Sequence, residues 1–560
     1  MSETEAARTG AAADERDVPV IIVGGGPVGM MLALQLDALG VRSIIVNTEL
    51  GPRRHPKGGT HNSRTMEHYR RLGIASRLRN LGLPPDHPTD VVYVTRVMGW
   101  ELQRIAMPSE REKMRAVAEA GPTDQVPEPI LRVNQMQVEA LVFAHLATRP
   151  NIIRRYGWQC VAFADHGDGV SAEIEEVATG RREHLRGAFL AGCDGGQGIV
   201  RRTLGIHYLG DQPERQPYLG GPMVSTYMRS RELFARVRRK KAWQYWIVNR
   251  DVRSNMVCVD GDVEFLFSTR LDSDDEKPDH GLISRAFRTS VGEDVAFEII
   301  GHMTWTAGQA FVADSFRRGR VLLAGDSVHL FTPTGGFGVN TGIDDAVNLG
   351  WKLAAMVQGW GGPRLSASYE TERRPIALRN TGHAKRLARN VGAVPVGDAI
   401  DLDTPAGEAD RRAASEFLAS FGPEFGSLGA QLGARYDGSP IVAGDGAVPP
   451  PDDPIVYTPS GVPGGRAPHL WLADRSSLFD RLGPGFTLLR FAGGGSEAAG
   501  LETAARRRGV PLTVLTIAHP QGRDLYGCDL ALVRPDQHVA WRGNRLPEDN
   551  DALIRRVTGW

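Results

Sequence analysis

Two periods of apolar spacing run along this chain, and each predicts a different kind of element. In VPVIIVGGGPVGMMLALQLDALGVRSIIVNTE, residues 18–49, the short run VIIV ends in glycines, and MMLALQLDALG carries a longer apolar run to Gly40. The first predicts a buried strand, the second a helix, and the following SIIV a second strand, which makes a βαβ unit. Short apolar strands are likewise predicted before Asp194, in HLRGAFLAGCDGG, and before Gly325, in RVLLAGD. Between these landmarks, WQYWIVN, SNMVCVDG, VEFLFSTRL and AFEIIGHMTW alternate or run apolar, which predicts a sheet. SASYETERRPIALRNTGHAKRLARNVG (366–392) predicts one long helix, and the Pro/Gly-rich passage 436–468 marks a boundary. Beyond it HLWLA, FTLLRF, PLTVLTI and CDLALVRP predict strands with a helix among them.

Composition narrows the class. The 560 residues hold 66 basic and 66 acidic side chains, so no bulk field favours nucleic acid or an anionic membrane as partner. Cys160, Cys193, Cys258 and Cys528 are widely spaced, without a C-x-x-C. That spacing argues against a disulfide framework or thiolate metal site and fits a reducing cytoplasm. The polar, Ala-rich residues 1–17 predict a disordered tail, not a targeting peptide, and no apolar run reaches the roughly 18 residues of a membrane span.

The chemistry sits at strand ends. In the first βαβ unit, Gly24 permits a tight turn, Gly26 lets backbone approach a pyrophosphate, and Gly29 allows close packing of helix on strand. The helix N-terminus then offers free N–H groups to phosphate. The acid that usually ends the second strand is replaced by Asn47, with Glu49 two residues on, and either can meet a ribose hydroxyl. This motif does not separate FAD from NAD. A later GxGxxA mimic (Gly493, Gly495, Ala498) has no second βαβ unit behind it and reads as an ordinary turn. Asp194-Gly195 follows an apolar strand, and GDSVHLFTPTGGFGVN (325–340) supplies a third strand-end motif. Three such segments suit a long cofactor with a polyol linker. Asp326 is expected to accept a ribityl hydroxyl, while Gly335, Gly336 and Gly338 leave bare backbone for a flat ring, with Val339 and Asn340 completing the turn. The next helix is expected to begin near Asn340 or Thr341 with Asp344 and Asp345 in its first turn, its N–H groups facing a ring edge that becomes anionic on reduction. His329, inside this turn, reads as structural.

These three motifs, in this order, resemble the single-component (class A) flavoprotein aromatic hydroxylases, in the branch of the phenol, chlorophenol and resorcinol hydroxylases. The resemblance covers nearly the whole chain. It implies an α/β fold in which a Rossmann-like FAD-binding domain (18–395) is interleaved with a β-sheet substrate domain (about 91–129 and 208–315). A helical connector (396–436) and a thioredoxin-like domain (437–560), without redox cysteines, would follow. In HPKGGTHNSRTMEHYRRLG, Lys57 would contact FAD, with Arg64 and Glu67 bracing the local helix; in RVNQMQVEALV, Gln135 would lie near the ribityl chain. The departures are Asn47 for an acid, Gly198 for a frequent Ser, and Lys57 for a frequent Arg. Trp243, Tyr245, Trp246, Phe265 and Phe267 are candidates to line a pocket for an aromatic substrate. The implied activity is hydroxylation of a phenolic or polyketide-like ring with NAD(P)H and O2 through a C4a-hydroperoxyflavin. The phenol needs a base of near-neutral pKa, and His61 is the candidate. Baeyer–Villiger insertion, epoxidation and a non-catalytic FAD redox sensor stay open as alternatives, as does a homodimer; the missing W-x-W-x-I-P disfavours a halogenase.

Overall fold

The structure is a computed structural model, which describes residues 16–211, 221–273, 275–420, 425–491 and 498–560. Most of the N-terminal tail and the mimic glycines Gly493 and Gly495 lie outside the described residues.

The strand Val20–Val23 is buried at every residue and has neighbours on both edges. It pairs in parallel with Ser43–Asn47 on one side and with Phe189–Gly192 on the other, which in turn pairs with Val321–Leu323. Continuous apolar sequence in these strands is what burial on two faces requires. The helix Pro27–Ala38 covers the sheet and packs on the helix Phe337–Val357. The two backbones approach so closely that a Cβ on Gly350 would lie 2.8 Å from the Cβ of Gln35. The second helix begins at Phe337, earlier than its sequence suggests, so Asp344 and Asp345 do not sit in its first turn. They are interior residues that bind Arg373, with His68 on Asp344 and His329 on Asp345.

A second sheet has the order Glu298–Ala307, Gly221–Arg229, Glu264–Arg270, Arg253–Cys258, Gln244–Val248, Val91–Val94, Glu101–Ile105. The parallel pair Val91–Val94 with Gln244–Val248 joins two segments far apart in sequence. A long helix, Arg364–Gly392, runs past Pro375 without ending, and Pro405–Ala419 and Leu428–Leu432 follow. The C-terminal sheet is ordered Leu512–Ile517, Phe486–Phe491, Leu530–Val533, Val539–Gly543, flanked by the helices Ala499–Arg507 and Asn550–Val557. HLWLA does not form a strand: only Trp471 bridges, to Ser477, and the segment is held instead by the His469 ring on Ser477 and on the Asp124 carbonyl.

Buried ions fasten the C-terminal region to the rest. Glu372 accepts from Lys352 Nζ at 2.6 Å, from both terminal nitrogens of Arg534 at 2.7 and 2.8 Å, and from Ser439 Oγ at 2.6 Å. Arg64 donates to Glu67 at 2.8 Å, to Gln537 Oε1 at 2.7 Å and to the Asp536 carbonyl at 2.6 Å, and Glu67 also holds Arg466. Arg64 and Glu67 therefore brace more than their own helix. Among the described residues no helix is long and apolar enough to cross a membrane, and no cluster suits a metal ion.

Candidate active site

A cavity of about 770 Å³ opens between the carboxyl ends of the parallel strands and the face of the second sheet. Its lower half is made by the sequence motifs. Gly24 has φ +107°, and a Cβ there would lie 2.2 Å from the Cys193 carbonyl oxygen. A Cβ on Gly26 would meet nothing within 4 Å, and the helix it precedes has no side-chain cap. Gly29 does not line the cavity; its Cβ would strike the Gly24 carbonyl oxygen at 2.0 Å, so it serves packing.

Asn47 is already occupied. Its Oδ1 accepts from the Gly25 N–H at 2.9 Å and its Nδ2 donates to the Glu49 carbonyl at 3.1 Å. Glu49 stands at the rim, 2.9 Å from Arg53 Nε, and the exposed Lys57 also lines the cavity. Gln135 donates to Glu139 at 2.6 Å, and burial pushes the Glu139 carboxyl up. Asp194 accepts from the Val200 N–H at 2.9 Å and from Ser327 Oγ at 3.1 Å, with its pKa raised by burial. A side chain at position 198 would lie 2.2 Å from that carboxyl group, which accounts for Gly198. The Asp326 carboxylate opens into the cavity yet is walled by protein, so desolvation raises its pKa while His329 and Lys57 oppose the rise.

At the far end of this half the chain turns through Gly335 (φ +76°) and Gly336 (φ +65°) into the uncapped helix start at Phe337. The glycines were expected to leave room for a ring. The space beside Gly336 is instead taken by Thr60, whose Cβ is 2.9 Å from the position of an added Cβ, and that beside Gly335 by the Phe337 ring at 2.4 Å. Left-handed backbone and close packing require glycine at both. Gly338 and Val339 line the cavity, but Asn340 does not. Its side chain accepts from the Asn62 N–H at 2.9 Å and donates to the Thr60 and Gly336 carbonyls at 3.0 and 2.6 Å.

The upper half comes from the second sheet, and strand alternation sorts the aromatic candidates. Gln244 and Trp246 face the cavity, as do Leu266 and Ser268, while Tyr245, Phe265 and Phe267 point to the opposite core with Phe234 and Phe287. Trp243, just before its strand, and Trp305 complete the wall. Its polar groups are neutral, and three of them are tied together: Trp305 Nε1 donates to Ser225 Oγ at 2.8 Å, and Ser225 and Ser268 hydroxyls are 2.8 Å apart. Among the described lining residues, every carboxylate (Glu49, Glu139, Asp194, Asp326) belongs to the lower half, and no histidine lines either half.

His61 is thus not brought to the cavity. The two-residue strands Thr60–His61 and Leu131–Arg132 pair, and Thr60 and Arg132 face the cavity while His61 and Leu131 face away. His61 is 1 % exposed, with Nδ1 3.5 Å from the Tyr69 hydroxyl, and burial pushes its pKa down to about 4. His329 is wholly buried against Asp345 at 2.7 Å. The residue that sequence reading passed over is Arg132. Its signal was a cation inside the apolar run ILRV, three residues before Gln135.

Comparison with known proteins agrees with this geometry. Residues 17–384 match the family model described as FAD binding domain, and residues 460–560 match that of the aromatic-ring hydroxylase C-terminal region. The FAD-dependent monooxygenase apdD of Emericella nidulans is 32% identical, over 97% of this chain and 90% of its own. Phenol 2-monooxygenase of a Pseudomonas strain is 28% identical, over 96% and 92%. The structure of RebC with bound 7-carboxy-K252c superimposes with a TM-score of 0.87 at 34% identity, over 97% of this chain and 99% of that one. A cavity floored by nucleotide-binding strand ends and roofed by an aromatic sheet, together with a family match over most of the sequence, identifies this chain as a member of the FAD-dependent aromatic-ring hydroxylases and an FAD-dependent monooxygenase.

Proposed function

We propose that this enzyme hydroxylates a phenolic or polyketide-like aromatic ring, with NAD(P)H as reductant and O2 as oxygen donor. The observation that carries the reading is the division of the cavity: anion- and polyol-binding groups below, aromatic and neutral groups above. The lower half fits FAD on three counts. The helix start after Gly26 has unfilled N–H groups, Asp326 presents a carboxylate to the cavity, and the helix start at Phe337 is uncapped. In this reading the N–H groups after Gly26 hold the pyrophosphate, and Asp326 and Gln135 hold the ribityl hydroxyls. Glu49 takes the ribose, since Asn47 is spent on Gly25. Val339 and the glycine turn carry the ring edge.

Bound there and reduced, FAD would supply the electrons that activate O2, from which the electrophilic oxygen atom comes. The chain's own part is to seat the aromatic ring under Trp243, Trp246 and Trp305 and to keep water from the reacting atoms. The N–H groups at Phe337 stabilise negative charge at the ring edge. Residues 437–560, with one parallel and two antiparallel strand pairings in one sheet, are read as a thioredoxin-like domain, and its buried ions support a structural role. The test is NAD(P)H oxidation over a panel of phenols with product mass analysis. One added oxygen on an aromatic carbon supports the reading; ring-expanded lactones, or oxidation indifferent to every phenol, overturn it.

A further inference from the structure

Arg132 is a buried cation without an anion. It is 7 % exposed and lies in the cavity wall. One terminal nitrogen donates to Thr60 Oγ1, and the other is 3.8 Å from the Met107 sulfur. The guanidinium carbon lies 4.2 Å from the centre of the Trp243 ring, and Nε has no acceptor. No carboxylate of a described residue pairs with it. Buried Arg373, Arg466 and Arg534 each hold at least one carboxylate, and buried Arg201 donates to two backbone carbonyls. Burial alone lowers the Arg132 pKa to about 10, so it is charged at neutral pH. Its position is specific: Thr60 touches both Arg132 and the Gly336 turn, and Trp243 belongs to the aromatic roof. The cation therefore stands where the two halves of the cavity meet.

We propose that Arg132 binds the phenolic oxygen of the substrate as its phenolate, which rests on the hydroxylase reading above. The phenol O–H gives its proton to solvent on binding, and the negative charge stays on the oxygen beside the guanidinium. Delocalised into the ring, that charge enriches the ortho and para carbons, the positions an electrophilic oxygen attacks. No base in the roof is then needed, and among the described lining residues the roof contains neither carboxylate nor imidazole. A neutral ring gains nothing from Arg132, so the substrate class narrows to acidic phenols.

The experiment uses FAD-loaded protein and 4-nitrophenol, whose phenolate band is read by difference absorbance as pH is varied. An opposite charge within about 4–6 Å lowers the pKa of an acid by about 1–3 units, and a shift of this size below the free value is expected for the bound probe. Arg132→Met should abolish the shift, Arg132→Lys should keep most of it, and both should bind neutral 4-nitrobenzamide as the wild type does. Ionisation of bound 4-nitrophenol at its free pKa, no binding of it, or a shift that survives Arg132→Met would overturn the proposal. So would Arg132-dependent binding of 4-nitrobenzoate with 4-nitrophenol bound neutral, since the site would then serve carboxylates. Hydroxylated products without the shift defeat this inference alone. The shift without any hydroxylated product defeats the hydroxylase reading and leaves the phenolate site standing.

Discussion

Arg534 and Arg132 are both buried arginines, and they have opposite surroundings. Arg534 sits between Glu372 and Asp536, which raise its pKa despite burial; Arg132 meets a hydroxyl, a thioether and an indole face, and its pKa falls. A buried charge that is matched inside the protein belongs to the fold, because removing its partner leaves an uncompensated ion. A buried charge left unmatched at a cavity is a standing cost to the folded state and has its partner elsewhere. The same division separates Asp345, which binds Arg373 and His329, from Asp326, which opens into the cavity.

Glu372→Ala should break the matched region most severely. It strands Lys352 and leaves Arg534 with Asp536 alone, and loss of about 3–5 kcal/mol in urea unfolding is expected; a variant of near wild-type stability would mean that the ions are loosely coupled. Next comes acid. Burial lowers the His61 pKa from 6.5 to about 4, so between those values the unfolded chain binds more protons. Its contribution is fully present above pH 6.5 and falls as pH drops towards 4, by up to about 3 kcal/mol. His61→Phe should remove that part of the acid sensitivity and leave turnover at neutral pH unchanged, read from unfolding curves at pH 4.5 and 7 beside steady-state rates. A collapse of turnover would restore His61 to the reaction.

Asp326→Ala tests the unmatched carboxylate. Its loss should weaken FAD binding by about 1.5–3 kcal/mol, tenfold or more, measured by flavin retained after gel filtration and by titration. Full retention would remove Asp326 from the cofactor. The smallest change in stability is expected for Arg132→Met. Replacing an uncompensated buried cation by an apolar chain of similar length should leave the unfolding free energy within about 1 kcal/mol of wild type or raise it. A loss as large as that of Glu372→Ala would show that Arg132 has a structural partner.

Local pattern made the nucleotide end legible. Val20–Val23, Gly24, Gly26 and the following helix are close neighbours in sequence, and their spacing carries their geometry. Period two told that the second sheet would exist, but not which face of it met the cavity. Hence Trp246 and Tyr245 looked equivalent in sequence and point opposite ways. His61 was misjudged for the same reason, on a strand only two residues long. Asp344 and Asp345 looked like first-turn acids because Gly335, Gly336 and Gly338 hid a helix start at Phe337. Arg132 was invisible as a site because its character lies in what is absent around it, a property of the assembled walls and not of the run ILRV. The ion network was equally hidden, since Glu372 and Arg534 are unremarkable polar residues until helix and C-terminal sheet meet.

The pairing of Val91–Val94 with Gln244–Val248 also governs the order in which the molecule can be made. A chain emerging from the ribosome completes its first βαβ unit early, but the strand preceding Asp194 and then that preceding Asp326 arrive much later. Val91–Val94 has no parallel neighbour until Gln244–Val248 emerges, and the apolar edge at Phe189–Gly192 stands open to other chains until Val321–Leu323 follows. Long-range closure of this kind slows folding and lengthens the exposure of unpaired edges. In the seating proposed here the cofactor touches all three strand ends, so it can be held only once the interleaved segments have closed. Flavin supply during synthesis should therefore decide how much of the chain escapes aggregation, a matter of timing and not of equilibrium strength.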